Sequence, residues 1–170
     1  MQKSPLEIQI PQDWEKIVQE LQDVFVQKRQ TFALAESCTG GLLAHLLTTG
    51  PGASQYFLGS FVTYSNELKQ SVLSVKKETL ERYGAVSQET VCEMLQGVFQ
   101  ITTADVAVAV SGIAGPTGGT LDKPIGTVFV AIGERKKQPP QVMRLFLSGS
   151  RNKILFSTAY KIFSLFLREK

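Results

Sequence analysis

Thr31-Phe32-Ala33-Leu34-Ala35-Glu36-Ser37-Cys38-Thr39-Gly40-Gly41-Leu42-Leu43 runs from a short apolar stretch, through hydroxyls, a thiol and two glycines, into a leucine-rich segment. Residues 31–36 read as a buried strand, and Leu42, Leu43, Leu46 and Leu47 recur at helical spacing, so a helix is expected over about 40–49. The Ser-to-Gly stretch is therefore the connection, at the carboxyl end of a strand, where open α/β sheets bind ligands. Glycines there allow a sharp turn, and the free N–H groups of a first helical turn attract an anion or oxyanion. The same residues equally suit an ordinary Ser/Thr cap before a Gly-rich helix start, so this segment alone decides no function.

Outward from it, Trp14, Ile17, Val18, Leu21, Val24 and Phe25 give an amphipathic helix over about 12–29. Pro51-Gly52-Ala53-Ser54 makes a turn, a strand runs from Phe57 to Tyr64, and helical patterns occupy about 66–74, 77–83 and 87–101. Asp105 to Val110 is a continuous β-branched and alanine run, suited to a central strand covered on both faces. It ends in a second glycine-rich loop, Ser111 to Gly119. Strands near 125–132 and 141–147 flank the basic turn Arg135-Lys136-Lys137 closely enough for an antiparallel hairpin, and a last helix covers about 151–168. The alternation predicts one domain over 1–170, with 1–11 as an N-terminal extension. Its architecture is a three-layer α/β/α sandwich on a mostly parallel five-stranded sheet with one antiparallel strand.

The composition, 43% hydrophobic and 19% charged, is that of an ordinary soluble globule, and the length suits one domain. A net charge of +3 helps an anionic substrate approach but lacks the dense basic stripe of a nucleic-acid binder. Two cysteines in different contexts form neither a disulfide framework nor a metal-ligand spacing, which points to a reducing, cytoplasmic location. No apolar run approaches the ~20 residues that span a bilayer, and the first residues lack the apolar core of a signal peptide, so no membrane association is expected.

A Ser-His-Asp triad needs a histidine, and the only one, His45, falls inside the helix that follows Ser37, roughly 7 Å along its axis. Zinc lacks ligands, and no phosphate-loop or dinucleotide fingerprint follows a strand, so neither metal nor cofactor is expected. A serine nucleophile with a lysine base remains, because Tyr64-Ser65-Asn66 through Lys69 brings an amine to the same sheet edge as Ser37. Desolvation and the positive end of a helix both favour the neutral amine, although a plain surface lysine fits the same residues.

Taken in order, these motifs resemble the CinA C-terminal domain family, the nicotinamide-nucleotide amidohydrolases, over about residues 12–168. The likeness rests on Ala35 to Gly41, Pro51 to Ser54, Val62 to Asn66 with Lys69, Gly84 to Ser87, Ser111 to Pro116 with Gly118-Gly119, and Lys123 to Gly126. The resemblance implies metal-free deamidation of nicotinamide mononucleotide, a pyridine nucleotide, to nicotinate mononucleotide and ammonia, with Ser37 as nucleophile and Lys69 as base. It also implies substrate contacts from Tyr64, Asn66, Ser111, Gly112 and Ile113. Helix-terminal N–H groups at Thr39, Gly40 and Gly41 are candidates for an oxyanion hole or phosphate seat. Arg151 suits a phosphate contact or a structural role at the start of its helix.

The chain departs from the family pattern at Gly149-Ser150-Arg151, where the family usually has Gly-Asp-Arg, and at Leu155, where it usually has another arginine; Ser60 replaces a common glycine. The missing cation leaves a second reading, a catalytically weak module that binds a pyridine nucleotide or regulates a partner. The family's longer members carry an N-terminal domain resembling molybdopterin-binding proteins, and 170 residues are expected to represent the form without it. The last helix carries more apolar residues than one core-facing stripe needs, so a homodimer through it and the first helix is expected.

Overall fold

The computed structural model describes residue 9 and residues 11–167. The elements are α1 (Trp14–Gln27), β1 (Phe32–Glu36), α2 (Leu42–Leu47), a single 3-10 turn (Ala53–Gln55), β2 (Phe57–Val62), α3 (Asn66–Leu73), α4 (Lys77–Tyr83), α5 (Gln88–Ile101), β3 (Val106–Gly112), β4 (Thr127–Glu134), β5 (Gln141–Phe146) and α6 (Arg151–Leu167). The expected N-terminal extension lies outside the described residues except Gln9 and Pro11, as does Arg168 at the expected end of the last helix. The sheet has the order β2-β1-β3-β4-β5. β1 runs parallel to β2 and β3, while β4 is antiparallel to both its neighbours and is the one reversed strand. Because the strand from Asp105 runs on to Gly112 to pair with Val128, the hairpin strand expected at 125–132 lies two residues later.

Each face of the sheet buries its own core. On one, Phe32, Leu34, Val106, Val108, Val110, Val128 and Val130 pack against α1, α2 and α6. On the other, Ala33, Ala35, Ala107, Ala109, Phe129 and Ala131 meet α3, α4 and α5. Alternation along a strand sends successive side chains to opposite faces, and alanines on the second face let α5 lie close to the sheet. α5 also draws in α3: a Cβ on Gly97 would come within 2.7 Å of Leu73 Cα. This contact sets the depth at which α3 sits beneath the carboxyl ends of β1 and β2.

The apolar surplus of α6 has an internal destination. Ile154, Ala159, Ile162 and Phe163 belong to the first core, with Leu155, Phe156, Phe166 and Leu167 packed against it. Trp14 of α1 lies 5.8 Å from the Phe156 ring and 6.1 Å from Phe163, so the two helices cover one another. The surface on which the expected homodimer was based is therefore largely spent within the chain. Among the described residues no helix is long and apolar enough to cross a membrane.

Candidate active site

β1 ends on the fully buried Glu36, and the ladder continues one residue further, where Ser37 N–H donates to Val110 O at 3.0 Å. The chain then turns, with Gly40 N–H donating to Ser37 O at 3.1 Å. Gly40 and Gly41 follow at φ +59° and +97°, where a side chain would be strained. Ser37 is left 7% exposed, facing α3.

α3 is started by Ser65, whose Oγ accepts from Leu68 N–H, and this puts Lys69 one turn in, beneath the sheet edge. Lys69 is fully buried. Its Nζ donates to Ser37 Oγ at 2.9 Å, to Thr63 O at 2.6 Å and to Tyr64 O at 3.2 Å. Among the described residues none of these neighbours is a carboxylate. Burial accordingly pulls the amine's pKa down from 10.5 to about 8, opposed only by the neighbouring Cys38. The Cys38 thiol goes the other way, raised to about 12 chiefly by burial, and its side chain joins the core on the α2 face. It is a neutral apolar filler beside a serine whose nearest titratable partner is close to losing its proton.

The structure corrects the expectation for Gly40 and Gly41. Glu36 Oε2 accepts from Gly41 N–H at 3.0 Å and Leu43 N–H at 3.1 Å, and Oε1 accepts from Ala44 N–H at 3.0 Å. The start of α2 thus already holds an anion, the chain's own carboxylate, and Gly40 N–H is used inside the turn. Neither Gly40 nor Gly41 offers an N–H to a ligand. Thr39 differs: its N–H has no acceptor among the described residues, and its Oγ1 is buried without a partner, as are Thr63 Oγ1 and Thr127 Oγ1.

The other expected contacts divide. Tyr64, 60% exposed, and Arg151 meet at the rim, with Arg151 Nη2 donating to Tyr64 Oη at 3.4 Å and Nη1 to Gly115 O at 2.8 Å. Arg151 therefore ties the second glycine loop to the start of α6 while staying exposed. Asn66 is exposed in the first turn of α3. Ser111 is buried, its Oγ donating to Ala85 O at 2.7 Å, so it anchors the turn before α5. At Ile113 both backbone groups are taken, N–H by Thr127 O and C=O by Gly126 N–H. Gly112 is in the ladder, where a Cβ would come within 2.9 Å of Thr127 O. The main chains of Gly112 and Ile113 thus serve strand pairing, so any contact of these two residues with substrate is not one through their N–H groups. His45 is exposed on α2, and among the described residues no three His, Cys, Asp or Glu side chains gather as metal ligands.

Sequence reasoning missed Glu36, Ser60 and Thr63. A carboxylate ending an otherwise apolar buried strand, just before a glycine pair and a helix, is the signal that would have found Glu36. Ser60 Oγ donates to Glu36 Oε1 at 2.9 Å, so the residue standing where a glycine is common has a partner of its own.

Comparison with known proteins places this chain in a family. A CinA-like protein of Thermotoga neapolitana is 49% identical over 140 residues, covering 82% of this chain and 34% of its own length. A Pseudothermotoga lettingae CinA-like protein is 48% identical over 142 residues. The chain thus spans about a third of the length of the curated relatives it matches. Among solved structures, a competence/damage inducible protein CihA from Agrobacterium tumefaciens superposes with TM-score 0.88 at 34% identity, covering 95% of this chain and 98% of that one. A competence damage-inducible protein A from Klebsiella pneumoniae gives TM-score 0.86 at 33% identity, covering 92% and 96%. The CinA C-terminal domain description matches residues 14–169, and with these relatives it establishes that the chain belongs to the CinA C-terminal domain family.

Proposed function

We propose that the chain is a metal-independent amidohydrolase that converts nicotinamide mononucleotide to nicotinate mononucleotide and ammonia with a serine–lysine pair. The observation that carries this reading is the 2.9 Å contact between Ser37 Oγ and a buried Lys69 amine whose pKa is lowered to about 8. A neutral amine keeps two hydrogens for the carbonyls of Thr63 and Tyr64 and turns its lone pair to the Ser37 hydroxyl. The hydroxyl then donates to Nζ, the direction that proton abstraction needs.

Ser37 Oγ attacks the carboxamide carbon as its proton passes to Lys69. The oxyanion is held by the unpartnered N–H and hydroxyl of Thr39, an assignment supported by its having no other partner among the described residues. Lys69 returns the proton to the leaving nitrogen and ammonia departs. Water, deprotonated by Lys69, opens the acyl ester and restores Ser37. Tyr64 and the unbonded donors of Arg151 stand at the rim, within the same reading, for the ring and the phosphate.

A cytoplasmic location and a homodimer belong to the same proposal. Leu58 and Val62, both exposed on the edge strand β2, support association, and light scattering at micromolar concentration tests it. Leu155, packed against the core where a cation is usual, favours the alternative of a weak pyridine-nucleotide-binding module. Ammonia release from a panel of pyridine nucleotides separates the two. Release from the mononucleotide that disappears in Ser37→Ala is expected, and binding without ammonia would replace the hydrolase with the module.

A further inference from the structure

Glu36 and Ser37 are adjacent, yet they work on opposite faces of the sheet. The Ser37 side chain meets Lys69 of α3, while the Glu36 carboxylate reaches the start of α2 and collects three main-chain N–H groups at 3.0–3.1 Å. A fourth donor, Ser60 Oγ at 2.9 Å, attaches the carboxylate to β2. Glu36 also accepts through its own main chain, from Thr63 N–H at 2.9 Å. Thr63 in turn supplies the carbonyl that receives Lys69 Nζ at 2.6 Å. One residue is therefore joined to both halves of the pair: to Ser37 through the 37–41 turn it closes, and to Lys69 through β2 and Thr63.

From this network we infer that Glu36 is a positioning residue, whose carboxylate fixes the turn so that Ser37 Oγ stands at reacting distance from Lys69 Nζ. The inference rests on the serine–lysine reading of the site. All four contacts to the carboxylate are donors, so glutamine, although the same shape, cannot replace it fully. Its oxygen can serve Gly41 and Leu43, but its amide then faces Ala44 N–H, donor against donor, while the Ser60 hydroxyl can turn to accept. The helix start should shift by a fraction of an ångström with the fold intact, and misplacement on the order of 1 Å costs about 10²-fold in rate.

The test is the rate constant for phosphonylation of Ser37 by a fluorophosphonate probe, in which Ser37 Oγ bonds to phosphorus and fluoride leaves, followed by mass spectrometry, beside steady-state deamidation. For Glu36→Gln the labelling rate and kcat should both fall by about 10–100-fold, with KM within about twofold and the pH midpoint unmoved. Glu36→Asp, which keeps the charge on a shorter arm, should fall between the two and stands in if the glutamine variant does not fold. A purely structural Glu36 would lower the fraction of molecules that label and leave the rate per folded molecule unchanged, and that result would overturn the inference. Failure of the unsubstituted protein to label at Ser37 is a separate outcome, which would bring down the serine–lysine reading itself.

Discussion

In the proposed reaction Lys69 is the residue on which the chemistry turns, because burial without a carboxylate partner among the described residues pulls its pKa down to about 8 and brings the neutral amine within reach at mildly alkaline pH. If the reacting form is the neutral amine, kcat/KM should rise with pH and level off above about 8, a profile measurable by ammonia release between pH 6 and 10. Ser37→Ala, Lys69→Ala and the double variant should each lose a similar factor, on the order of 10³ or more, since two groups acting as one unit are not additive. Independent effects that multiply in the double variant would break the pairing. The two residues were legible in the sequence because a hydroxyl and a lysine followed two consecutive strand ends. The depth of Lys69 was not, since it depends on Leu73 and Gly97 bringing α3 against α5, contacts distant in sequence.

At the scale of elements, periodicity carried far, because the central strands β1, β3 and β4 and the helices over them bury their apolar positions in the two cores. The central strand was recognisable from Val106 to Val110 as a run with no polar residue, and its companion helix from Val91, Met94, Leu95 and Val98. Boundaries set by pairing rather than by pattern slipped, as with β4, whose start follows the pairing of Gly112 with Val128. The helix start after Ser37 was read as an open anion site because its glycines and hydroxyls are local signals. The carboxylate that fills it comes from the preceding strand, seven and eight residues away from the Leu43 and Ala44 amides. Gly97→Ala tests the docking of α3 on α5. Overpacking there should cost about 1–3 kcal/mol in urea unfolding and lower kcat by tilting Lys69, so unchanged stability would contradict the contact.

For the molecule as a whole, a buried amine links the site to stability. Lys69 titrates near 8 in the folded chain against 10.5 as a free side chain, so between these values the unfolded state holds the extra proton and stability rises with pH. Relative to Lys69→Met, the protein should gain about 2 kcal/mol in unfolding free energy between pH 7 and pH 9.5. The buried Cys38 thiol titrates in both proteins and largely cancels in the comparison. Equal pH slopes for the two would show that the amine is not shielded from water. Chelation should leave activity unchanged; more than about a tenfold loss with EDTA, restored by zinc, would rule out a metal-free reaction. The burial of Lys69 also bears on ancestry. A descendant released from its chemistry would gain stability near neutral pH by exchanging this lysine for an apolar side chain, so drift alone would erase it. A lysine kept enclosed at this position is what selection for the proposed turnover would leave behind.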